Sequence, residues 1–147
     1  MIKSSALRRM HGSAILNCLK VNGFVVLAEI HMKLTDDQIR QFYKDHINKP
    51  YFKGLRQSVN DGVVALALTH FQNSAVVPAL RQLVGSTDSK TSPVGTVRNL
   101  FGGHNYDRHA AISDNALHAS DSEESVEREM EIILPGLYDA IIRLIHQ

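Results

Sequence analysis

Residues 115–129 contain several side chains that together are suited to group-transfer chemistry. His118 ends a short apolar run, and Ser120 and Asp121 follow it, ahead of a predicted helix that carries Glu129. A histidine is a competent nucleophile or acid–base group near neutral pH, and it becomes useful when neighbouring groups fix its tautomer and orientation. A carboxylate two turns into the next helix can be such a neighbour. Taken alone, each residue is better explained as a surface group, because charged helix residues mostly face water.

A second group of side chains is suited to binding an oxyanion. Arg81 and Arg98 flank a polar loop that contains Thr87, and Lys3 is predicted to lie at the end of a strand. Guanidinium groups make bidentate contacts with phosphate, so the two arginines and the threonine hydroxyl could converge on one phosphate group. Taken singly, each cation is more simply a surface charge.

Two other kinds of site fit the sequence poorly. The loop at residues 85–91 is similar to a phosphate-binding P-loop, but Ser89 stands where the second glycine is required and a predicted helix precedes the loop. His104 and His109 could join His118 as metal ligands, but their spacing matches no zinc pattern and no cysteine lies nearby. Neither a P-loop nor a zinc site is therefore predicted.

The composition is that of an ordinary globular protein. The 147 residues, 44% of them hydrophobic and 21% charged, fit one domain spanning 1–147. The net charge of +1 does not favour nucleic-acid binding. No apolar run is long enough for a membrane span, the first residues lack a signal-peptide core, and the one cysteine, Cys18, cannot form an internal disulfide. We therefore expect a cytoplasmic protein without a membrane partner.

The elements that must position these side chains follow from hydrophobic periodicity and turn signals. The pattern predicts strands at residues 1–2, 24–33, 63–69 and 116–119. It predicts helices at residues 12–21, from 35, at 51–55, from 73, and at 96–101, 122–133 and 137–145. This order indicates an α+β fold with a ferredoxin-like, four-stranded, mostly antiparallel sheet covered by helices.

Two of these helices begin with capping-box sequences, in which a hydroxyl and a residue three positions later cap the helix reciprocally. Thr35 and Gln38 form one such pair. Ser120 and Glu123 form the other, at the start of the helix that carries Glu129. The second pair predicts that the Ser120 hydroxyl is used for capping.

These residues together resemble the nucleoside diphosphate kinases along nearly the whole chain, from Lys3 to about Leu134. The family signature Asn-x-x-His-Gly-Ser-Asp-Ser, followed by a glutamate on the next helix, is matched by Asn115, His118, Ala119, Ser120, Asp121, Ser122 and Glu129. The family's strand-end lysine, its tyrosine and its base-stacking aromatic are matched by Lys3, Tyr43 and Tyr51. Its Arg-x-x-x-Gly-x-Thr and Gly-Thr-x-Arg segments are matched by Arg81, Gly85, Thr87, Gly95, Thr96 and Arg98.

The resemblance implies ping-pong transfer of a γ-phosphoryl group from nucleoside triphosphates to nucleoside diphosphates through a phosphohistidine at His118. The other catalytic residues that it implies are Glu129, Ser120, Lys3 and Tyr43. The implied nucleotide-binding residues are Lys3, Tyr51, Arg81, Thr87, Arg98, Ile112 and Asn115. It also implies Mg²⁺ held through the phosphates with Asp121 nearby, and a homo-oligomer that is a hexamer, a tetramer or a dimer.

The sequence departs from the family pattern at four places. The first strand is short, so Lys3 is expected to be weakly anchored, and Ser4 and Ser5 replace the family's Pro-Asp, which is expected to loosen the turn. Ala119 replaces a glycine, and extra residues at 102–114 lie beside the expected base pocket. These departures motivate an alternative prediction, a nucleotide-binding regulatory or scaffold protein with a weakened kinase site.

Overall fold

The computed structural model describes residues 1–103 and 114–145 of the chain, so His104, His109 and Ile112 lie outside the described residues. The described helices are α1 (Ser4–Arg8), α2 (Gly12–Val21), α3 (Asp36–Phe42), α4 (Phe52–Gln57), α5 (Val76–Val84), α6 (Val97–Phe101), α7 (Glu123–Ile133) and α8 (Leu137–Ile145). A short 3₁₀ helix spans Lys44–His46, and the strands are β1 (Phe24–Met32) and β2 (Val63–His70). The predicted α+β class is confirmed.

The two strands form an antiparallel pair that runs from Phe24 opposite His70 to Met32 opposite Val63. Ile2 extends this pairing through two isolated antiparallel bridges, one to Val64 in β2 and one to Leu117. The start of the chain therefore lies between β2 and the segment that leads to His118.

Lys3 is firmly held, and the expectation that it would be weakly anchored was wrong. Its backbone N–H donates to the Ala116 carbonyl at 2.8 Å, and the preceding Ile2 side chain is fully buried. A strand residue that pairs on both sides is fixed by two neighbours, so even a short segment can place the lysine that follows it.

Of the strand predicted at residues 116–119, the structure has a single antiparallel bridge, at Leu117. The Leu117 N–H donates to the Asn115 carbonyl at 2.6 Å, and Ala116 between them has a φ of 61°. This is the geometry of a γ-turn, which takes the backbone out of the extended region. Ala119, by contrast, does not have a positive φ, so its side chain is tolerated where the family has glycine.

The two predicted capping boxes have different outcomes. The first is confirmed, since Thr35 Oγ1 accepts from the Gln38 N–H at 3.1 Å and Gln38 Oε1 accepts from the Thr35 N–H at 3.0 Å. The second was wrong, because Ser122 is the N-cap of α7 and its hydroxyl accepts from the Ser125 N–H at 3.1 Å. The Ser120 hydroxyl bonds to Glu129 instead.

Two hydrophobic clusters lie on the two faces of the strand pair. Val64 packs with Ile15 and Leu19 of α2, whereas its neighbour Val63 packs with Ile39 and other apolar residues of the second cluster. Successive side chains of a strand point to opposite faces, so this alternation means that helices cover both faces. None of the helices within residues 1–103 and 114–145 is long and apolar enough to cross a membrane.

Candidate active site

His118 lines a cleft of about 570 Å³ that also contains most of the residues predicted to act with it. The predicted catalytic residues in the cleft lining are His118, Glu129, Lys3 and Tyr43. The predicted nucleotide-binding residues in the lining are Lys3, Tyr51, Arg81, Thr87, Arg98 and Asn115, together with Asp121. Residues that are up to 126 positions apart in the chain, Lys3 and Glu129, thus share one cavity.

A short hydrogen-bond chain fixes the imidazole of His118. Its Nε2 lies 2.8 Å from Glu129 Oε2, and the Ser120 hydroxyl donates to the same oxygen at 2.7 Å. Because an ionised carboxylate only accepts, the imidazole donates through Nε2–H and its neutral form keeps the lone pair on Nδ1. Glu129 is 8% exposed, so little water competes for this contact.

The charges of this pair are set by burial and by the hydrogen bond between them. Burial lowers the pKa of His118 below its ordinary value, although the hydrogen bond and the charge of Glu129 oppose the shift. Burial alone would raise the pKa of Glu129, but hydrogen bonds from His118 and Ser120 outweigh it and the pKa is lowered. At neutral pH the arrangement is therefore a neutral imidazole beside a carboxylate anion.

Two aromatic residues at the C-terminal end of α3, Phe42 and Tyr43, pack against the imidazole of His118. The ring of Phe42 meets His118 edge-on at 4.8 Å between centroids, and the ring of Tyr43 meets it at 6.1 Å and 89°. The Tyr43 hydroxyl is buried and has no hydrogen-bond partner among the described residues. Burial, with the charge of Glu129, raises its pKa, so the hydroxyl stays protonated and can donate to a ligand in the cleft.

Lys3 and Arg98 bring two buried cations to the same cleft, at 3% and 6% exposure. Burial, and secondly the charge of Arg98, lowers the pKa of Lys3 to about 8. Burial, and secondly the charge of Arg81, lowers the pKa of Arg98 to about 10. Both side chains are thus charged at neutral pH and poorly solvated, which strengthens their attraction for an anion.

The two arginines also hold the backbone on either side of His118. Arg98 donates through Nη2 to the Leu117 carbonyl at 3.0 Å and through Nη1 to the Gly85 carbonyl at 3.0 Å. Arg81 donates through Nη1 to the Ala119 carbonyl at 3.2 Å. The sequence predicted both as ligand-binding residues, and the structure adds this contact with the peptide that carries the histidine.

Asn115 and Tyr51 lie at other parts of the cleft wall. Asn115 donates through Nδ2 to the Thr87 carbonyl at 3.1 Å, and its buried Oδ1 has no partner among the described residues. The Tyr51 hydroxyl lies 3.0 Å from Nδ1 of His46. His46 also lines the cleft and was not predicted, because nothing local distinguishes it from a surface histidine.

Asp114 is a further residue that the sequence did not single out. Its carboxylate accepts hydrogen bonds from the Ser5 hydroxyl and from the Arg9 guanidinium, immediately before Asn115 in the chain. Ser4 and Ser5 are both buried in α1, and the Ser4 hydroxyl donates to the Gly62 carbonyl at 2.6 Å. The turn that was expected to be loosened is therefore held by side-chain hydrogen bonds, and that expectation was wrong.

The described residues contain no group of three or more histidine, cysteine, aspartate or glutamate side chains that could hold a metal ion. Asp121 lines the cleft, and its carboxylate accepts from the Ser125 hydroxyl at 2.6 Å. That hydrogen bond lowers the pKa of Asp121, so one anionic oxygen ligand borders the cluster of cations.

Comparisons with known proteins show the family to which the chain belongs. The family model for nucleoside diphosphate kinase matches residues 1–137. The chain belongs to the nucleoside diphosphate kinase family. It is 33% identical over 138 residues to the nucleoside diphosphate kinase of Streptomyces avermitilis, and the match covers 92% of this chain and 93% of that protein. It is 31% identical to the enzyme of Methanosphaera stadtmanae, over 90% of this chain and 81% of that protein.

Solved structures of the family have the same fold. The nucleoside diphosphate kinase of Aquifex aeolicus superposes with a TM-score of 0.77 at 29% identity, over 92% of each chain. That of Borrelia burgdorferi, a transition-state mimic with bound vanadate and ADP, gives a TM-score of 0.79 at 21% identity, over 89% of this chain and 82% of that one. The second likeness supports the fold alone.

Proposed function

We propose that the protein transfers the γ-phosphoryl group of nucleoside triphosphates to nucleoside diphosphates by a ping-pong mechanism through phosphorylated His118. Membership of the nucleoside diphosphate kinase family supports phosphoryl transfer between nucleotides. The observation that carries the residue assignment is the hydrogen-bond chain from Ser120 through Glu129 to His118, in a cleft with the buried cations Lys3 and Arg98.

In the first half-reaction, Nδ1 of His118 attacks the γ-phosphorus of the donor. The P–N bond forms, the bond to the β–γ bridging oxygen breaks, and the diphosphate leaves with that electron pair. Glu129 stabilises the positive charge that develops on the imidazole, and Ser120 keeps the carboxylate in place. In the second half-reaction, a terminal oxygen of the acceptor diphosphate attacks the phosphorus and the P–N bond breaks.

The cations of the cleft stabilise the transferring group. Phosphoryl transfer depends mainly on positioning and on neutralising negative oxygens, and the electrostatic effect is stronger in a poorly solvated site. Lys3, Arg81 and Arg98 are proposed to hold the phosphates, with Thr87, and the buried hydroxyl of Tyr43 donates to a phosphoryl oxygen. The same groups serve the donor and the acceptor in turn.

The remaining predicted residues are proposed to bind the nucleoside. The buried amide oxygen of Asn115 has no partner among the described residues and can accept from a ribose hydroxyl. The ring of Tyr51 is proposed to stack on the base; Ile112, the second predicted base contact, lies outside the described residues. A base held by stacking is read through its π-face, which all bases share, so we expect little selectivity among bases.

Mg²⁺ is proposed as the cofactor, held mainly through phosphate oxygens. The lining of the cleft fits this mode, because it offers several cations and the carboxylate of Asp121, and the described residues contain no cluster of three or more metal ligands. Magnesium is commonly bound by one or two carboxylates plus substrate phosphates and retains several waters. When bound, it would neutralise phosphate charge and so favour transfer.

We also infer a four-stranded ferredoxin-like sheet in a single domain, in the order β1, β2, the segment at Ile2 and the segment at Leu117. The two antiparallel bridges of Ile2 support that order.

A homo-oligomer, whether a hexamer, a tetramer or a dimer, is supported by exposed apolar residues on α2 and β1, among them Val21, Val25 and Leu27. A cytoplasmic location is proposed on the composition.

The test is a coupled assay that follows the formation of nucleoside triphosphate from a diphosphate acceptor with ATP as donor. We expect multiple turnovers by the wild type and none by His118→Gln purified in the same way, which also controls for kinases of the expression host. A regulatory protein with a weakened site would bind nucleotide without turnover, and the family relationship does not favour it. Wild-type activity no higher than that of the variant would refute the proposal.

A further inference from the structure

Three separate parts of the chain meet at the carboxylate of Asp114. The Ser5 hydroxyl and Arg9 Nη1, both on or beside α1, donate to its two oxygens. Arg9 Nη2 lies 3.3 Å from Oδ1 and donates also to the Phe101 carbonyl at the end of α6, at 2.9 Å. The Asp114 side chain is 23% exposed, so this is a partly buried, charge-assisted cluster and not a surface ion pair.

This cluster joins two residues of the proposed site. Lys3 is the residue before α1, and its N–H donates to the Ala116 carbonyl at 2.8 Å. Asn115 follows Asp114 directly and donates to the Thr87 carbonyl. A shift of Asp114 would therefore move both the lysine and the asparagine, because each is connected to it through one or two peptide units.

The backbone of Asp114 closes the same region. Its carbonyl accepts from the Gly103 N–H at 2.6 Å, so a backbone hydrogen bond joins residue 103 directly to residue 114. The last of the extra residues at 102–114 is therefore Asp114, whose carboxylate bonds to Ser5. Ser5 stands at the position where the family pattern has aspartate.

The charges of the cluster act on Lys3. Burial alone would raise the pKa of Asp114, but hydrogen bonds from Arg9 and Ser5 outweigh it and keep the carboxyl ionised. Burial and Arg98 lower the pKa of Lys3, and Asp114 opposes that shift. The charged or titratable groups that face Lys3 are Arg98, Asp114, His118 and the backbone amino group of Met1.

We infer that Asp114 is a positioning residue for the proposed phosphoryl transfer, and that it supplies, from 109 positions along the chain, the carboxylate that Ser5 lacks. It joins α1 to the segment that carries Asn115 and His118 and so places Lys3 in the cleft. This inference rests on the proposed function, since the groups that it positions are the proposed phosphate and sugar contacts.

The test compares Asp114→Asn and Asp114→Ser with the exchange variant S5D/D114S. We expect each single variant to lower kcat/KM about tenfold, because small displacements of positioned groups cost about that much or more. In the exchange variant a carboxylate on residue 5 can reach Arg9. The value of kcat/KM should therefore return to within about threefold of the wild-type value.

A pH profile separates positioning from a merely structural role. Phosphate binding needs protonated Lys3, so kcat/KM should fall as the pH rises through the pKa of Lys3, which is about 8. Removing Asp114 lowers that pKa, so the basic limb should move to lower pH in Asp114→Asn and move back in the exchange variant. The matched control is Asp61→Asn, which breaks the exposed ion pair with Arg8 of α1 and should change neither quantity.

ADP affinity, measured by calorimetry on the same variants, makes the result independent of turnover. An inactive wild type that binds ADP would refute the proposed function, while the affinities of the variants would still decide the role of Asp114. If Asp114→Asn bound ADP as tightly as the wild type and the basic limb of its pH profile did not move, the inference would be overturned. So would a folded exchange variant, checked by circular dichroism, that recovers nothing, or a wild type that binds no ADP.

Discussion

Replacing Glu129 by glutamine probes the contact that orients the proposed nucleophile. Glutamine has nearly the same shape and can still bond to Ser120 and His118, but it carries no charge. A charge-assisted hydrogen bond stabilises by about 1.5–3 kcal/mol and a neutral one by about 0.5–1.5 kcal/mol. Because Glu129 is 8% exposed, water cannot replace the lost interaction. The difference of about 1–1.5 kcal/mol predicts a roughly tenfold fall in kcat.

The pH dependence of this variant has a predicted direction as well. His118 must be neutral to attack, so activity is lost as the pH falls through its pKa. The hydrogen bond and charge of Glu129 raise that pKa against the effect of burial, which lowers it. Without the charge the pKa falls further, and the acid limb of kcat/KM should move to lower pH.

The assay is the coupled measurement of triphosphate formation across the acid limb, on wild type, Glu129→Gln and the control Glu127→Gln. Glu127 is an exposed residue of the same helix, so its variant should match the wild type in rate and pH profile. An unchanged kcat in Glu129→Gln, or an acid limb that moves to higher pH, would refute the role assigned to the carboxylate.

Four further variants separate stability from activity. Lys3→Met should inactivate the protein yet raise the free energy of unfolding in urea by about 1–3 kcal/mol, because burial lowers the pKa of Lys3 from 10.5 to about 8; an unchanged or lower stability would contradict this. Ser122→Ala should cost about 1 kcal/mol of stability at unchanged kcat, whereas Ser120→Ala should lower kcat severalfold; the opposite pattern would mean that Ser120 is the cap. Tyr43→Phe should lower kcat about tenfold without loss of thermal stability, since the buried hydroxyl has no partner in the described part of the chain, and a marked fall in melting temperature would show a structural role.

Local signals predicted the elements that depend on neighbouring residues. The capping pair of Thr35 and Gln38 is confirmed because both hydrogen bonds lie within one helical turn. The helix at residues 12–21 has the predicted bounds, since its apolar spacing and the following Asn22-Gly23 are local features. The family signature likewise indicated which side chains would line one cleft.

Predictions failed where a distant contact decided the outcome. Ser120 and Glu123 have capping-box spacing, but the buried carboxylate of Glu129 takes the serine hydroxyl and the cap moves to Ser122. Asp114 and Arg9 are separated by 105 positions, so no sequence window reveals their contact. Such pairings arise from tertiary packing, which local propensity does not encode.

The anchoring of Lys3 shows the same limit. The short first strand suggested a poorly held lysine, because the sequence gives no measure of what lies on either side of it. In the structure Ile2 bridges both Val64 and Leu117, and the lysine that follows is 3% exposed. The position of an element within the sheet thus matters more than its length.

The covalent intermediate is the central claim, and labelling tests it most directly. Wild-type protein is incubated with γ-labelled radioactive ATP in the absence of diphosphate acceptor, and the modified residue is mapped by mass spectrometry. We predict one acid-labile, alkali-stable phosphoryl group per chain, on His118, that is discharged when a nucleoside diphosphate is added and that is absent from His118→Gln. An unlabelled wild type, or a label that persists in His118→Gln, would contradict the account.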